Sequence, residues 1–185
     1  LFAACDGGAL EELWKDELEN GNVPVSERIV TDEGAVTISK TFEIQRNAEQ
    51  EVTIAASPAS VTEGAENITT IKFPAGSFGS SGETVTETIN VVVYPTSVAA
   101  AKFTVSSQSA VAGLDLSVTV NNSSVTTFND KVVKVTTYIA KNLTNVKIHY
   151  ETEIWRNEGI TSANDVDAAY EFYYNSTTGE LVFGT

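Results

Sequence analysis

The sequence predicts an all-β protein in which antiparallel sheets pack face to face as β-sandwiches, and three observations support this fold class. Val and Thr number 22 and 23 of the 185 residues, and both residue types favour pleated strands. Apolar and polar side chains alternate with period two in one segment after another from residue 28 onward. Turn residues separate these segments at short intervals, and the pattern predicts no crossover helices between them.

The first 22 residues differ from this pattern. Residues 9–19 predict a short helix that ends at Asn20-Gly21-Asn22, because its apolar residues recur on one helical face. These residues are Leu10, Leu13, Trp14 and Leu18. A helix of about eleven residues is not stable alone, so it needs a surface to pack on.

The next part of the chain, up to Tyr94, predicts a first group of strands. Residues 36–44 are typical, because their even-numbered apolar side chains share one face and only Lys40 interrupts that face. The other predicted strands of this group are 52–56, 68–73 and 85–93. Tyr94-Pro95 ends the group, and we place a domain boundary or a sheet crossover there.

A second group of predicted strands follows Pro95. It begins with Ala101, Phe103 and Val105 and continues through 114–120, 133–139, 146–154, 169–174 and 180–183. Lys141-Asn142-Leu143-Thr144 is short enough to be a hairpin connection, and 157–167 has room for one turn of helix. The two groups predict two small immunoglobulin-like sandwiches, at residues 23–97 and 98–185, after an N-terminal segment 1–22. A single larger sandwich is the alternative.

Charge and hydropathy exclude several classes of protein. The formal net charge is −14, so the surface repels nucleic-acid phosphates and anionic lipid headgroups. No apolar run approaches the roughly 18 to 20 residues of a membrane-spanning helix. We therefore expect a folded protein that binds no nucleic acid.

The only cysteine, Cys5, excludes intrachain disulfides and ends the segment Leu1-Phe2-Ala3-Ala4-Cys5. This segment resembles the lipobox of bacterial lipoproteins, in which the cysteine is acylated and becomes the first mature residue. With a Thr/Ser/Val-rich β body after it, the chain resembles surface or periplasmic lipoproteins of Bacteroidetes. The resemblance implies lipid attachment at Cys5 and an extracytoplasmic location on a bacterial membrane, most naturally the outer one. The alternative is a free cysteine in an ordinary N-terminal segment.

Motifs that carry catalysis are missing from the sequence. His149 is the only histidine, and its position on the predicted strand 146–154 points it to solvent. Glu151 and Glu153 share that exposed face, where paired acids usually protect an edge. Glu87 points inward among apolar neighbours, for which an edge position or a bulge is the usual cause. We predict a protein that is not an enzyme and uses no cofactor.

Two sets of residues could bind a ligand. Sugars need an exposed aromatic face beside polar groups, and Trp155 and Tyr173 are the aromatic residues expected to be exposed, whereas Tyr170, Phe172 and Tyr174 are expected in the core. Asp165 and Asp167 lie in the most oxygen-rich loop and are a weak calcium candidate; the alternative is a helical turn with Asn or Asp as its N-cap.

These observations predict a non-enzymatic, lipid-anchored β-sandwich protein outside the cytoplasm that presents a binding surface for glycan or protein. The alternative is a structural or accessory subunit of a cell-surface assembly of the adhesin or pilus kind, which would use the helix at 9–19 or a free sheet edge as its contact. Insertion of a strand pair into a membrane, as in pore-forming proteins, is less favoured, because only one segment is long enough to span a bilayer.

Overall fold

Two antiparallel sheets of five strands each make up most of a computed structural model of the protein, which describes residues 24–32, 34–59, 67–105, 108–150 and 153–185. The all-β prediction is confirmed. Cys5 and the predicted helix at 9–19 lie outside the described residues.

Along the described chain, the strands are interrupted by one short α-helix and one 3-10 turn. They are β1 (Pro24–Asp32), β2 (Ala35–Gln45), β3 (Gln50–Ile54), β4 (Thr69–Phe73), β5 (Thr84–Tyr94), α1 (Thr96–Lys102), β6 (Thr104–Val105), β7 (Gln108–Ser109), β8 (Gly113–Val120), β9 (Ser123–Val125), β10 (Lys134–Tyr138), β11 (His149–Tyr150), β12 (Glu153–Ile154), a 3-10 turn (Ala163–Asp165), β13 (Phe172–Tyr174) and β14 (Glu180–Gly184).

Sheet I has the strand order β1-β2-β5-β8-β9 and is built around two long strands. The alternation that predicted β2 and β5 puts their apolar side chains on one buried face, and the register places Ile38 opposite Val91. β8 and β9 form a hairpin whose two turn residues, Asn121 and Asn122, have φ of 49° and 64°. Asn tolerates this left-handed conformation, which two-residue hairpin turns require.

Sheet II has the strand order β13-β14-β10-β4-β3, with shorter strands. The predicted C-terminal hairpin is confirmed: β13 pairs with β14 across a turn that Gly179 closes at φ +81°. A Cβ at Gly179 would meet the carbonyl oxygen of Ile139, so a larger residue cannot close this turn unchanged.

One hydrophobic core, the main core, lies between the sheets. Its seventeen described residues come from both sheets and are Ile38, Phe42, Ile44, Val52, Ile54, Ala56, Ile71, Phe73, Phe78, Val85, Ile89, Val91, Val93, Val118, Val120, Val133 and Val135. A polar link crosses the same space, because Lys40 on β2 donates from Nζ to the carbonyl oxygen of Thr53 on β3 at 2.9 Å. The sheets therefore pack as a sandwich.

The predicted boundary between residues 23–97 and 98–185 is wrong. Strands from both sides of it hydrogen-bond in each sheet, since β5 pairs with β8 and β4 pairs with β10. These strands form one sandwich, the alternative of the sequence analysis. The immunoglobulin-like subtype stays a prediction.

The strand predicted to restart beyond Pro95 is also wrong in its first half. Thr96–Lys102 is a helix, because its three alanines favour helix and Pro95 occupies the N-cap. Ala99 buries against the body, while Phe103 packs edge-on against Tyr94 with ring centroids 5.2 Å apart. Phe103 and the two residues of β6 keep the predicted extended form.

The strand predicted over 146–154 is wrong except at its end. Only β11 and β12 are extended, as a hairpin of two residues on each side, and residues 139–148 form a loop. Asn142 and Asn145 have φ of 58° and 54°, which an extended strand does not allow. The hairpin predicted at 141–144 is wrong as well, because β10 pairs with β4 and β14.

No helix within the described residues is long and apolar enough to cross a membrane.

Candidate functional site

A second hydrophobic cluster, the satellite cluster, lies beside the C-terminal hairpin. Its buried residues are Ile139, Trp155, Phe172 and Leu181. Half-buried side chains from the 139–148 loop, including Leu143 and Val146, pack against it. The cluster holds this loop against β13 and so positions the aromatic residues that the sequence analysis considered.

Trp155 was expected to be exposed, and that expectation is wrong. Only 7% of the residue is exposed, and its ring packs edge-on against Phe183 and Tyr170 at centroid distances of 5.2 and 5.7 Å. The backbone NH of Trp155 donates to the carbonyl oxygen of Ile148 at 3.1 Å, and the indole lies within the satellite cluster.

Tyr170, expected in the core, is 46% exposed instead. The alternation in this segment starts only with β13 at Phe172, and Tyr170 belongs to the preceding turn with φ of 66°. Phe172 is buried, as expected, whereas Tyr174 is only half-buried. Trp155 is therefore buried where exposure was expected, and Tyr170 is exposed where burial was expected.

Tyr173 lines a groove of about 260 Å³, the Tyr173 groove, between β13 and two loops. Its apolar wall consists of Leu143, Val146, Ile160, Phe172 and Tyr174. Besides the two tyrosines, its polar lining residues are Asn145 and Asn157. No charged side chain is found among the described lining residues, so the groove suits a neutral ligand.

The hydroxyl of Tyr174 holds the loop that forms one wall of this groove. It donates to the carbonyl oxygen of Ala140 at 2.6 Å and accepts from the backbone NH of Leu143 at 3.2 Å. The backbone NH of Asn142 donates to Ser176 in the facing turn at 2.8 Å. These bonds fix the loop, so the groove exists before a ligand arrives.

The amides of Asn145 and Asn157 are the polar groups that the sequence analysis missed. Neither side chain has a hydrogen-bond partner among the described residues, so both can bond to a ligand. The dense run of loop-forming residues from Lys141 to Asn145 was the available signal.

Asp165 accepts hydrogen bonds at the start of the 3-10 turn, but it is not the N-cap that the alternative to calcium binding expected. Its Oδ2 accepts from the backbone NH groups of Thr161 and Ser162 at 2.9 and 2.8 Å and from the Thr161 hydroxyl at 2.8 Å. Hydrogen bonds from Thr161, then those from Ser162, lower the pKa of Asp165. Ser162, rather than Asn or Asp, occupies the N-cap. Asp167 is exposed, and no metal-binding group of three or more His, Cys, Asp or Glu occurs among the described residues.

Glu87 does point inward, but the edge or bulge expected to explain it is absent. β5 is the middle strand of sheet I, and Glu87 lies opposite Phe42 within the regular β2–β5 pairing and opposite Val120 at the first pair of the β5–β8 register. The residue is 0% exposed, and neither carboxylate oxygen has a hydrogen-bond partner of acceptable geometry among the described residues. Burial raises the pKa of Glu87 to about 8, and the nearby side chain of Gln50 on β3 offsets only part of that rise.

His149 is exposed on β11, as predicted. Glu151 lies outside the described residues, and Glu153 belongs to β12.

Comparisons with protein-family models, with curated proteins and with solved structures find no match for this chain. The functional proposal below therefore rests on the chain's own residues.

Proposed function

We propose that the protein is a non-enzymatic glycan-binding protein whose Tyr173 groove takes one unit of a neutral sugar chain. The observation that carries the proposal is the placement of a half-buried aromatic ring beside two unpartnered amides in a groove without charge. The sequence left the ligand open between a glycan and a protein, and this uncharged groove favours a neutral glycan.

The chemistry of a sugar matches this set of groups. One face of a pyranose ring carries C–H groups that pack on an aromatic ring, and its hydroxyls need both donors and acceptors. Tyr173 supplies the ring, and the amides of Asn145 and Asn157 each supply a carbonyl oxygen and an NH₂ group. Leu143, Val146 and Ile160 exclude water from the rest of the contact.

The proposal assigns no reaction to the groove. Its described lining carries amide, phenol and hydrocarbon groups, and it lacks the pair of carboxyl groups that glycoside hydrolysis uses. Binding without turnover is the activity that these groups support.

The proposed setting is the outer surface of a bacterial membrane, with the sandwich tethered through acylated Cys5. The lipobox-like Leu1-Phe2-Ala3-Ala4-Cys5 supports this, since a diacylated cysteine gives stable anchoring. Mass spectrometry of the protein from its native host tests it: an N-terminal acylated Cys5 is expected, and an unmodified Cys5 still preceded by Leu1 contradicts it.

The groove is tested by binding neutral oligosaccharides, first on a glycan array and then by calorimetry with the best ligand. Tyr173→Ala should abolish detectable binding, because it removes the ring on which the sugar packs. Tyr170→Ala is the matched control, since Tyr170 is an exposed tyrosine that does not line the groove.

Two results would contradict the proposal. One is an array on which no neutral glycan binds the wild-type protein. The other is binding that Tyr173→Ala and Tyr170→Ala weaken equally. Concentration-dependent oligomers of the full chain, together with a negative array, would favour the accessory-subunit alternative instead.

A further inference from the structure

A second pocket, of about 270 Å³, lies at the opposite end of the sandwich from the Tyr173 groove. Asn129 of this pocket precedes β10 in the chain, whereas Leu143 of the groove follows that strand. We call it the Arg46 pocket, after the one charged side chain in its described lining. Its apolar floor includes Phe78 and Val120.

The Arg46 guanidinium is held in place but is poorly satisfied. Nη1 donates to the carbonyl oxygen of Phe78 at a long 3.3 Å. Nε lies 3.2 Å from Oε2 of Glu83, yet it is buried and has no hydrogen bond of acceptable geometry. A guanidinium has five N–H donors, so most of them have no partner among the described residues.

The loop before β5 is shaped around the stem of Arg46. Gly79 has φ of +132°, and a Cβ added there would lie 3.6 and 3.9 Å from Cδ and Cβ of Arg46, which is ordinary van der Waals contact. The backbone NH of Arg46 also donates to the carbonyl oxygen of Glu83 at 3.0 Å. Arg46 is therefore tied to the loop before β5 through its backbone, and the start of its side chain lies beside Gly79.

The rest of the pocket wall is rich in hydrogen-bond donors. Oδ1 of Asn121 accepts from the backbone NH of Thr86 at 3.0 Å, which leaves the Asn121 NH₂ group for a ligand. The hydroxyls of Ser123 and Ser124 have no partner among the described residues. A guanidinium fork beside an amide NH₂ and two hydroxyls is complementary to a carboxylate that carries further hydroxyl groups.

Glu83 competes for the guanidinium only weakly. Its side chain is 61% exposed, and exposed ion pairs with imperfect geometry contribute little. A ligand carboxylate that reaches the pocket can therefore take the bidentate position that Glu83 does not use.

We propose that the Arg46 pocket binds a single acidic sugar unit of the hexuronic acid class, with the carboxylate on Arg46 and the ring over the apolar floor. The pocket volume suits one sugar ring, at the lower end of small-ligand sites. A polyanion is disfavoured, because the chain carries a net charge of −14 and only one cationic side chain lines the described pocket. This site shares no residue with the Tyr173 groove, so the two proposals succeed or fail separately.

The test is a nuclear magnetic resonance titration of the full chain with glucuronate, with glucose as the matched neutral sugar and acetate as the matched carboxylate. Saturable shifts at residues of the pocket are expected with glucuronate, and weaker ones with the two controls. Arg46→Gln should lower the affinity about tenfold or more, because it removes charge-assisted hydrogen bonds. Tyr173→Ala should leave this titration unchanged.

Glu83→Gln distinguishes an Arg46 that binds a ligand from one that only supports the fold. Removing the competing carboxylate should raise the affinity for glucuronate about two- to threefold, without unfolding the protein at this exposed position. Three results would each overturn the proposal: shifts at the pocket residues that are as large with glucose or acetate as with glucuronate, no saturable shift at these residues, or no gain in affinity in Glu83→Gln.

Discussion

The main core and the satellite cluster are built from the same kinds of residue, but they differ in what holds them. The main core lies between strands of up to eleven residues, and its side chains come from regular alternation on both sheets. The satellite cluster has four buried residues within the described part of the chain, and the segments around it are strands of two to five residues joined by loops. Around the satellite cluster, side-chain to backbone hydrogen bonds such as those of the Tyr174 hydroxyl take the place of some backbone hydrogen bonds between strands.

This difference separates scaffold from site. Where apolar and polar residues alternate without interruption, the face of the strand decides whether a side chain is buried. The packed face then leaves little room for a ligand. Where strands are short, loop amides and aromatic rings come to the surface, and the Tyr173 groove forms beside the satellite cluster. Binding residues on loops that a rigid sheet supports are a common arrangement in proteins.

The largest expected effect compares two buried phenylalanines, one in each cluster. Phe73 and Phe172 are 0% and 1% exposed, but Phe73 also packs against the rings of Phe78 and Phe128. Phe73→Ala should lower the free energy of unfolding by about 3 to 5 kcal/mol, and Phe172→Ala by less, because the loops around it can relax into the space. Chemical denaturation measures both, and equal losses would break the comparison.

The next effect concerns the buried Glu87 in the main core and depends on pH. Its pKa is about 8 in the folded protein and near 4.5 in an unfolded chain. Between these values only the folded state keeps the proton, so stability falls as pH rises through this window, by at most about 1.4 kcal/mol per pH unit. Glu87→Gln should remove that slope. At pH 8 the free energy of unfolding of the variant should exceed that of the wild type by on the order of a few kcal/mol.

Denaturation midpoints at pH 5, 6.5 and 8 measure this slope. Glu43→Gln is the matched control, because Glu43 lies on the exposed face of β2 in the same sheet. A Glu87→Gln protein whose stability changes with pH as the wild type does would show that Glu87 is not the cause.

A smaller effect is expected at the Tyr174 hydroxyl. Tyr174→Phe removes the bonds to Ala140 and Leu143 and should cost about 1 kcal/mol, with faster amide exchange in the 139–148 loop. Tyr173→Phe removes a hydroxyl that makes no hydrogen bond to the described residues. In this variant the amides of the 139–148 loop should therefore exchange at the wild-type rate. Similar exchange in both variants would contradict the role given to Tyr174.

The smallest effect is expected at the 3-10 turn. Because the folded pKa of Asp165 is lowered, its contribution to stability is present above the ordinary carboxyl pKa and is lost as pH falls through the lowered value. Asp165→Asn should speed amide exchange at Thr161 and Ser162 while leaving the main core protected. Exchange that is unchanged at these two amides would contradict the capping role.

The sequence predicts the scaffold well and the site poorly, for physical reasons. In β2 and β5 one face is buried along most of the strand, so apolar and polar residues alternate with period two in the sequence. Trp155 and Tyr170 lie where strands end, and there a turn with positive φ, rather than parity, decides which ring is buried. Strand pairing was not readable either, because nothing local to β4 or β10 indicates that each hydrogen-bonds across the chain's midpoint.

The candidate sites show the same limit. Tyr173 was found because an aromatic residue on an outward face is a local signal, but its neighbours Asn145 and Asn157 come from two separate loops. Glu87 was recognised as inward by alternation, yet the sequence did not reveal that it lies in the central strand. Arg46 follows the end of β2, and only the folded structure brings it beside Asn121 and Ser123.

The position of β10 has a consequence for the order in which the protein assembles. Its two neighbours are β4, more than sixty residues earlier, and β14, more than forty later, and Val133 exchanges two backbone bonds with Thr185. Sheet II therefore cannot close until residues 180–185 have been synthesised, and such distant pairings make folding slow. Until residues 180–185 are available, one side of β10 has no partner strand, and an unpaired strand edge is a place where two chains can aggregate.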